Sequence, residues 1–286
     1  MSPTPAPVIL IIPGSFSTAQ MYYPLQAAMT ALLPTQEIYV ANLPSAIRNP
    51  PEQPATLQDD ATFFRGLIEK LAGAEAEQAE SNQAGSKAES KDGSRDIIVV
   101  AHSYGGVVAT EALRGVSKQE RLKAGKSGGA IRVVYLAAHV PKMGSSLEDT
   151  VGPPPEGMVG VGEDNFLRFL DVETIANATF ADPDYPFELA LAFVRSMGRH
   201  SNASFQGKVT YEGWRDVNVS WILCERDLII PPSVQRGYVD RIAEQSGREV
   251  DLHVLDAGHA PNVTAVEALA EVLVKIVQKE VADQTR

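Results

Sequence analysis

A serine held between small residues, at the end of an apolar run, is the feature of this chain that most directly suggests chemistry. Ile97-Ile98-Val99-Val100 leads into Ala101-His102-Ser103-Tyr104-Gly105-Gly106. A short β-branched run of this kind suits a strand buried on both faces. Small-x-Ser-x-Gly between a strand and a helix is the pattern of a nucleophile elbow, a sharp turn that lifts the serine Oγ above the sheet. The residues two before and two after must be small because strand and helix backbones cross closely there; Ala101 and Gly105 meet that condition. The helix expected from about Val107 to Arg114 would aim its N-terminal N–H groups at the site, where a developing oxyanion would be favoured.

A serine hydroxyl is a weak nucleophile and needs a base, which in turn needs an orienting acid. The chain has five histidines. His102 lies inside the elbow, with its side chain expected to point away from the nucleophile. His139 ends a strand near the site and is expected in the pocket wall. His200 falls in a region that interrupts the strand–helix alternation, and His253 lies within a strand. His259 follows the last strand in Asp256-Ala257-Gly258-His259-Ala260-Pro261 and precedes the final helix. Chain order Ser, Asp/Glu, His therefore selects His259 as base. For the acid, Cys224-Glu225-Arg226-Asp227 follows a strand, and Asp227 is the choice over Glu225. Asp256 is expected to brace the base loop. One oxyanion donor would be the N–H of Tyr104. The other would come from Pro13-Gly14-Ser15-Phe16-Ser17, from Ser15 or, preferably, Phe16. Ser15, His139 and Leu228 are expected to border the substrate.

The elements that must hold these residues alternate. Val8–Ile12, Ile38–Val40, Ile97–Val100, Ile131–Leu136, Val219–Cys224 and Val250–Leu255 read as strands. Helices are expected over Ala19–Leu33, from Thr56-x-x-Asp59 to Leu71, over Pro232–Gln245 and over Thr264–Val281. Alternation implies an α/β fold with a mostly parallel sheet covered on both faces. Residues 1–140 and 215–286 would form the core. Residues 141–214, a Gly/Pro-rich loop and two or three helical stretches, read as a small, mainly helical cap. Ser117–Gly129 reads as a connector. Gly73–Arg95 has almost no large apolar residue and reads as a flexible insertion.

Composition narrows the partners. With 36 acidic against 25 basic residues, the formal net charge is −11, a poor match for nucleic acid or an anionic membrane. A single cysteine, Cys224, allows no intrachain disulfide and no cysteine-based metal cluster. The first residues show no basic region and no adequate apolar segment for a signal or a span, so a cytoplasmic protein is expected. The sequons at Asn177, Asn202, Asn218 and Asn262 are then read as chance.

Several blocks in the right order resemble the α/β-hydrolase superfamily, in particular the small-esterase branch with plant methylesterases and hydroxynitrile lyases. These are the elbow, Tyr135-Leu136-Ala137-Ala138-His139-Val140-Pro141, Trp214-Arg215-Asp216, the stretch from Cys224 to Gln235, and Ala257-Gly258-His259-Ala260-Pro261. The resemblance implies an α/β-hydrolase fold and a Ser103–Asp227–His259 triad, with no metal or organic cofactor. Three departures stand out. Pro13-Gly14 replaces the family's usual His-Gly, which removes a loop-bracing hydrogen bond. Glu225 stands where glycine is common. No lysine accompanies His259, unlike in the hydroxynitrile lyases, which disfavours lyase activity.

The expected function is a serine esterase cleaving an ester, thioester or lactone of a small, largely apolar molecule through an acyl-enzyme. Three alternatives use the same fold. They are a C–C bond lyase or hydrolase, a biosynthetic acyltransferase or cyclase, and a non-catalytic ligand receptor.

Overall fold

The structure is a computed structural model that describes residues 6–73, 94–153 and 156–284. Most of the stretch read as an insertion, residues 74–93, lies outside the described residues. The strands in chain order are β1 (Val8–Ile12), β2 (Ile38–Val40), β3 (Asp96–His102), β4 (Gly129–Leu136), β5 (Val159–Val161), β6 (Phe166–Phe169), β7 (His200–Ser201), β8 (Asn218–Cys224) and β9 (Asp251–Leu255). Six of them form one sheet in the order β2-β1-β3-β4-β8-β9, every neighbouring pair parallel.

Period-two geometry explains why β1, and β3 between its polar end residues Asp96 and His102, are apolar. Val8, Leu10 and Ile12, with Ile97, Val99 and Ala101, enter one core beneath the helices Leu57–Leu71 and Gly105–Ala112. Ile9, Ile11, Ile98 and Val100 enter the other, beneath Tyr23–Leu32 and Val266–Gln284. A strand packed on both faces sends alternate residues into two apolar cores, which favours an uninterrupted apolar run. The helix Leu57–Leu71 starts where the sequence predicts. The Asp59 N–H donates to Thr56 Oγ1 at 3.2 Å, and the Thr56 N–H donates to the Asp59 carboxylate at 2.8 Å.

The strand order also locates the site. The chain leaves β1 toward β2 on one side and returns to β3 on the other, so the connections after β1 and β3 diverge. The crevice left at such a switch point, beyond the carboxyl ends of the strands, is where ligands bind in open α/β sheets. The Gly14–Ser17 loop and the Ser103 turn occupy that crevice, because Ile12 pairs with Ala101 across β1 and β3.

Between β4 and β8 lies the segment read as a cap. It holds the helices Leu147–Val151, Val172–Thr179, Phe187–Ser196 and Asn202–Gln206, and also a three-stranded antiparallel sheet, β5-β6-β7, that the sequence reading did not anticipate. Its strands have two to four residues, too short to show alternation. The presumed connector 117–129 likewise contains a helix, Lys118–Lys123, started by Ser117 Oγ accepting the Glu120 N–H at 3.2 Å. Six residues span fewer than two turns, so no apolar stripe marks it. Among the described residues no helix is long and apolar enough to cross a membrane.

Candidate active site

β3 ends in the turn at Ser103, whose φ of 54° is left-handed. A non-glycine residue there is strained, and the surrounding backbone holds it. The Ser103 N–H donates to the Leu136 carbonyl at 3.1 Å, and the Ser103 carbonyl accepts from the His139 N–H at 3.1 Å and the Gly106 N–H at 3.0 Å. The crowding that demands small residues is direct. A Cβ on Gly105 would lie 2.6 Å from the Pro13 carbonyl oxygen, and one on Gly106 would lie 2.6 Å from that of His139.

The structure brings Ser103, His259 and Asp227 together. Ser103 Oγ lies 2.9 Å from His259 Nε2, and His259 Nδ1 lies 2.8 Å from Asp227 Oδ2. A carboxylate only accepts, so the imidazole proton sits on Nδ1 and Nε2 keeps a lone pair for the serine hydroxyl. Asp227 is almost fully buried, and its other oxygen, Oδ1, accepts the N–H groups of Ile229 and Ile230, each at 2.8 Å. Gln235 completes the shell. Its Nε2 donates to Asp227 Oδ2 at 3.1 Å and to the Ile230 carbonyl at 2.8 Å. Gln235 lies in the block that resembles the family, but nothing in sequence spacing gives it this task. Glu225, the weaker acid candidate, is exposed at the surface. Asp256 pairs with Arg226, which also donates to Asp182 at 3.1 Å, so it ties the acid loop to the base loop and the cap.

The Phe16 N–H, preferred as the second oxyanion donor, is engaged elsewhere in the structure. The Phe16 N–H donates to Nδ1 of His200 at 3.3 Å, because Phe16 takes a left-handed φ of 60° that turns its N–H toward the cap. The N–H groups of Ser15 and Tyr104 have no hydrogen-bond partner among the described residues, and both residues line the cavity with Ser103.

Comparison with known proteins decides the family. The model of the alpha/beta hydrolase family matches residues 9–272. The chain belongs to this family. It is 30% identical over 271 residues to a probable hydrolase of Phoma sp., an alignment spanning 94% of this chain and 98% of that protein. It is 25% identical over 258 residues to an alpha/beta hydrolase of Aspergillus novofumigatus, spanning 89% and 90%. Among solved structures, a methylesterase from Arabidopsis superposes with a TM-score of 0.64 at 17% identity, covering 95% of this chain and 99% of that one. A pyrethroid hydrolase from Sphingobium faniae superposes with a TM-score of 0.65 at 15% identity, covering 95% and 97%.

Within this alpha/beta hydrolase, the bracing that Pro13 cannot supply comes from elsewhere. The Gly14 N–H donates to the Tyr22 hydroxyl oxygen at 2.8 Å, and that hydroxyl lies 2.6 Å from His102 Nδ1. His102 Nε2 lies 2.8 Å from the His259 carbonyl. A carbonyl only accepts, so the proton is on Nε2 and the Tyr22 hydroxyl donates to Nδ1. The side chain of His102 does point away from the nucleophile. It joins the loop after β1, the elbow and the base loop in one buried chain of hydrogen bonds. Burial pushes the His102 pKa down to about 3, which keeps the ring neutral. Tyr22→Phe would remove the acceptor for Gly14 and the donor for His102 together. We expect it to lower the unfolding free energy by about 1–3 kcal/mol, read from the midpoint of a urea transition, with a smaller kcat.

The hydrolase cavity above Ser103 has a volume of about 400 Å³. Ser15, His139 and Leu228 all line it. Large apolar cap residues, Phe169, Phe193 and Met197 among them, line it. Others lie outside it: Phe166 is buried in the packing, Phe180 stacks on Tyr185, and Leu170 and Phe187 are exposed. His139 is held by Tyr238, with Nδ1 3.1 Å from the hydroxyl oxygen, and burial pushes its pKa down to about 3. A buried carboxyl, Asp60, accepts the Tyr104 hydroxyl at 2.8 Å and the Ser45 hydroxyl at 2.6 Å, and burial raises its pKa to about 6. Sequence reasoning missed Asp60 because it reads as an ordinary acidic residue in the first turn of a helix.

Proposed function

We propose that the protein is a serine esterase, cleaving an ester, thioester or lactone of a small, largely apolar molecule through an acyl-enzyme. The observation that carries this reading is the unbroken hydrogen-bond chain from Ser103 Oγ through His259 to Asp227, at 2.9 and 2.8 Å. His259 Nε2 takes the hydroxyl proton as Ser103 Oγ bonds to the carbonyl carbon. Asp227 steadies the resulting imidazolium. The negative oxygen is met by the N–H of Tyr104, at the N-terminus of the helix Gly105–Ala112, and by that of Ser15 in the loop after β1. His259 then gives its proton to the leaving oxygen or sulfur as that bond breaks. In the second half it takes a proton from water, whose oxygen attacks the acyl carbon, and returns that proton to Ser103 Oγ as the bond from Oγ to the acyl carbon breaks. The predominantly apolar cavity supports an apolar acyl or alkoxy group. The similarity to a methylesterase and a pyrethroid hydrolase supports an ester as the bond attacked.

The test is a panel of p-nitrophenyl esters of increasing acyl length with mass analysis of the quenched protein. Turnover of short and medium esters is expected, with an acyl adduct on the peptide that contains Ser103 and labelling of the same residue by a fluorophosphonate. Ester turnover with the adduct on another residue would overturn the mechanism. Absence of both turnover and labelling would overturn the function.

A further inference from the structure

We propose that His200 is a positioning residue for the oxyanion loop, and that through it the cap holds that loop in its working conformation. His200 lies on β7, paired with Leu167 of β6, far in sequence from Phe16, and its side chain is fully buried. Its two ring nitrogens have fixed roles. The Ser204 hydroxyl donates to the Ser201 carbonyl at 2.8 Å, so its oxygen accepts the proton on His200 Nε2, 3.1 Å away. Nδ1 is thereby an acceptor, and it receives the Phe16 N–H. The ring is held in place by aromatic neighbours that are tilted or edge-on to it. Phe16, Tyr104 and Phe205 have their centroids 5.3, 5.2 and 5.1 Å from it.

This contact accounts for the backbone of Phe16. A left-handed φ of 60° is unfavourable for a phenylalanine. The hydrogen bond to a buried acceptor, together with the Phe16 ring packed 4.3 Å from that of Phe169, offsets the strain. With the Phe16 N–H held toward the cap, the Ser15 N–H is the donor of this loop left for substrate. A loop that lost the acceptor would relax at Phe16 and turn the neighbouring Gly14–Ser15 peptide with it. His200 does not line the cavity above Ser103, and in this arrangement it acts only through Phe16.

The inference rests on the serine-esterase reading, and two variants test it. His200→Leu fills the space without an acceptor, whereas His200→Asn places an acceptor near the position of Nδ1. We expect His200→Leu to lower kcat by about 10–100-fold, less than the outright loss of an oxyanion donor, with KM within about threefold. Its affinity for an alkyl boronic acid, whose tetrahedral adduct on Ser103 presents an anionic oxygen to the hole, should fall by the same factor as kcat/KM. His200→Asn should recover most of both. A kcat for His200→Leu within about threefold of the wild type would overturn the proposal. So would a loss matched by fewer fluorophosphonate-titratable sites, since that reports misfolding. Hydrogen exchange on the wild type supplies a readout free of variants and of activity. The Phe16 amide should be strongly protected, and an unprotected Phe16 amide would also overturn the proposal. A wild type that neither turns over esters nor reacts with fluorophosphonate would instead defeat the esterase reading, leaving the exchange result to judge the role of His200.

Discussion

Replacing Asp227 by asparagine is expected to lower kcat by about 10⁴-fold at neutral pH, with the fold intact and KM little changed. The size follows from which way the new amide must face. Oδ1 of Asp227 accepts two backbone N–H groups, from Ile229 and Ile230, at 2.8 Å each. An asparagine must keep its carbonyl oxygen there, because an NH₂ group would meet two donors. Its NH₂ group then faces His259 Nδ1, where Asp227 Oδ2 now lies at 2.8 Å. To avoid a donor–donor contact the imidazole must move its proton to Nε2. That nitrogen then has no lone pair for the Ser103 hydroxyl. Gln235 Nε2, 3.1 Å from Oδ2, also loses an acceptor. Ser103→Ala should cost at least as much, since it removes the attacking atom. Steady-state kinetics with the best ester of the panel, alongside circular dichroism and a melting curve, checks both. An Asp227→Asn enzyme within tenfold of wild-type kcat would show that Asp227 does not set the tautomer.

The second large effect concerns stability in acid. Burial pushes the pKa values of His102, His139 and His200 down to about 3, whereas an unfolded histidine titrates near 6.5. Each ring is therefore neutral when folded and protonated when unfolded between those values. Stability then falls as the pH drops below about 6.5. Asp60 acts in the opposite sense. Burial raises its pKa to about 6, so between about 6 and 4 it is the folded state that holds the extra proton. Near pH 5 the unfolded chain carries about one more proton on each of three histidines, and the folded chain about one more on Asp60. The net uptake of about two protons corresponds to a loss of about 2.7 kcal/mol per pH unit. For a domain of this size that is a fall in Tm of roughly 5–10 °C per unit. Calorimetry at pH 7, 6 and 5, at constant ionic strength, should show that decline. Asp60→Asn should steepen it by about one proton. A Tm that is flat or rising from pH 7 to 5 would contradict the assignment.

The parts of this molecule that repeat with a short period were legible before any coordinates. Apolar runs such as Val8–Ile12 can be buried only between two helical layers, and every residue of that strand is indeed buried. Ala101 and Gly105 mark the elbow because backbone crowding is a local condition. A loop after a strand, in the right chain order, was enough to select His259 and Asp227. The sequence therefore determined the sheet, the turn at Ser103 and the three residues now joined by hydrogen bonds. What it left open depends on contacts between segments distant along the chain. The Phe16 N–H is taken up by His200, 184 positions away from Phe16. The bracing that Pro13-Gly14 lacks comes from Tyr22 and from His102, whose Nε2 meets the His259 carbonyl 157 positions on. The cap sheet arises only when strands of two to four residues pair. A side chain's role as brace, acceptor or wall is set by what folding brings beside it, and for these residues no spacing in the sequence encodes that neighbour.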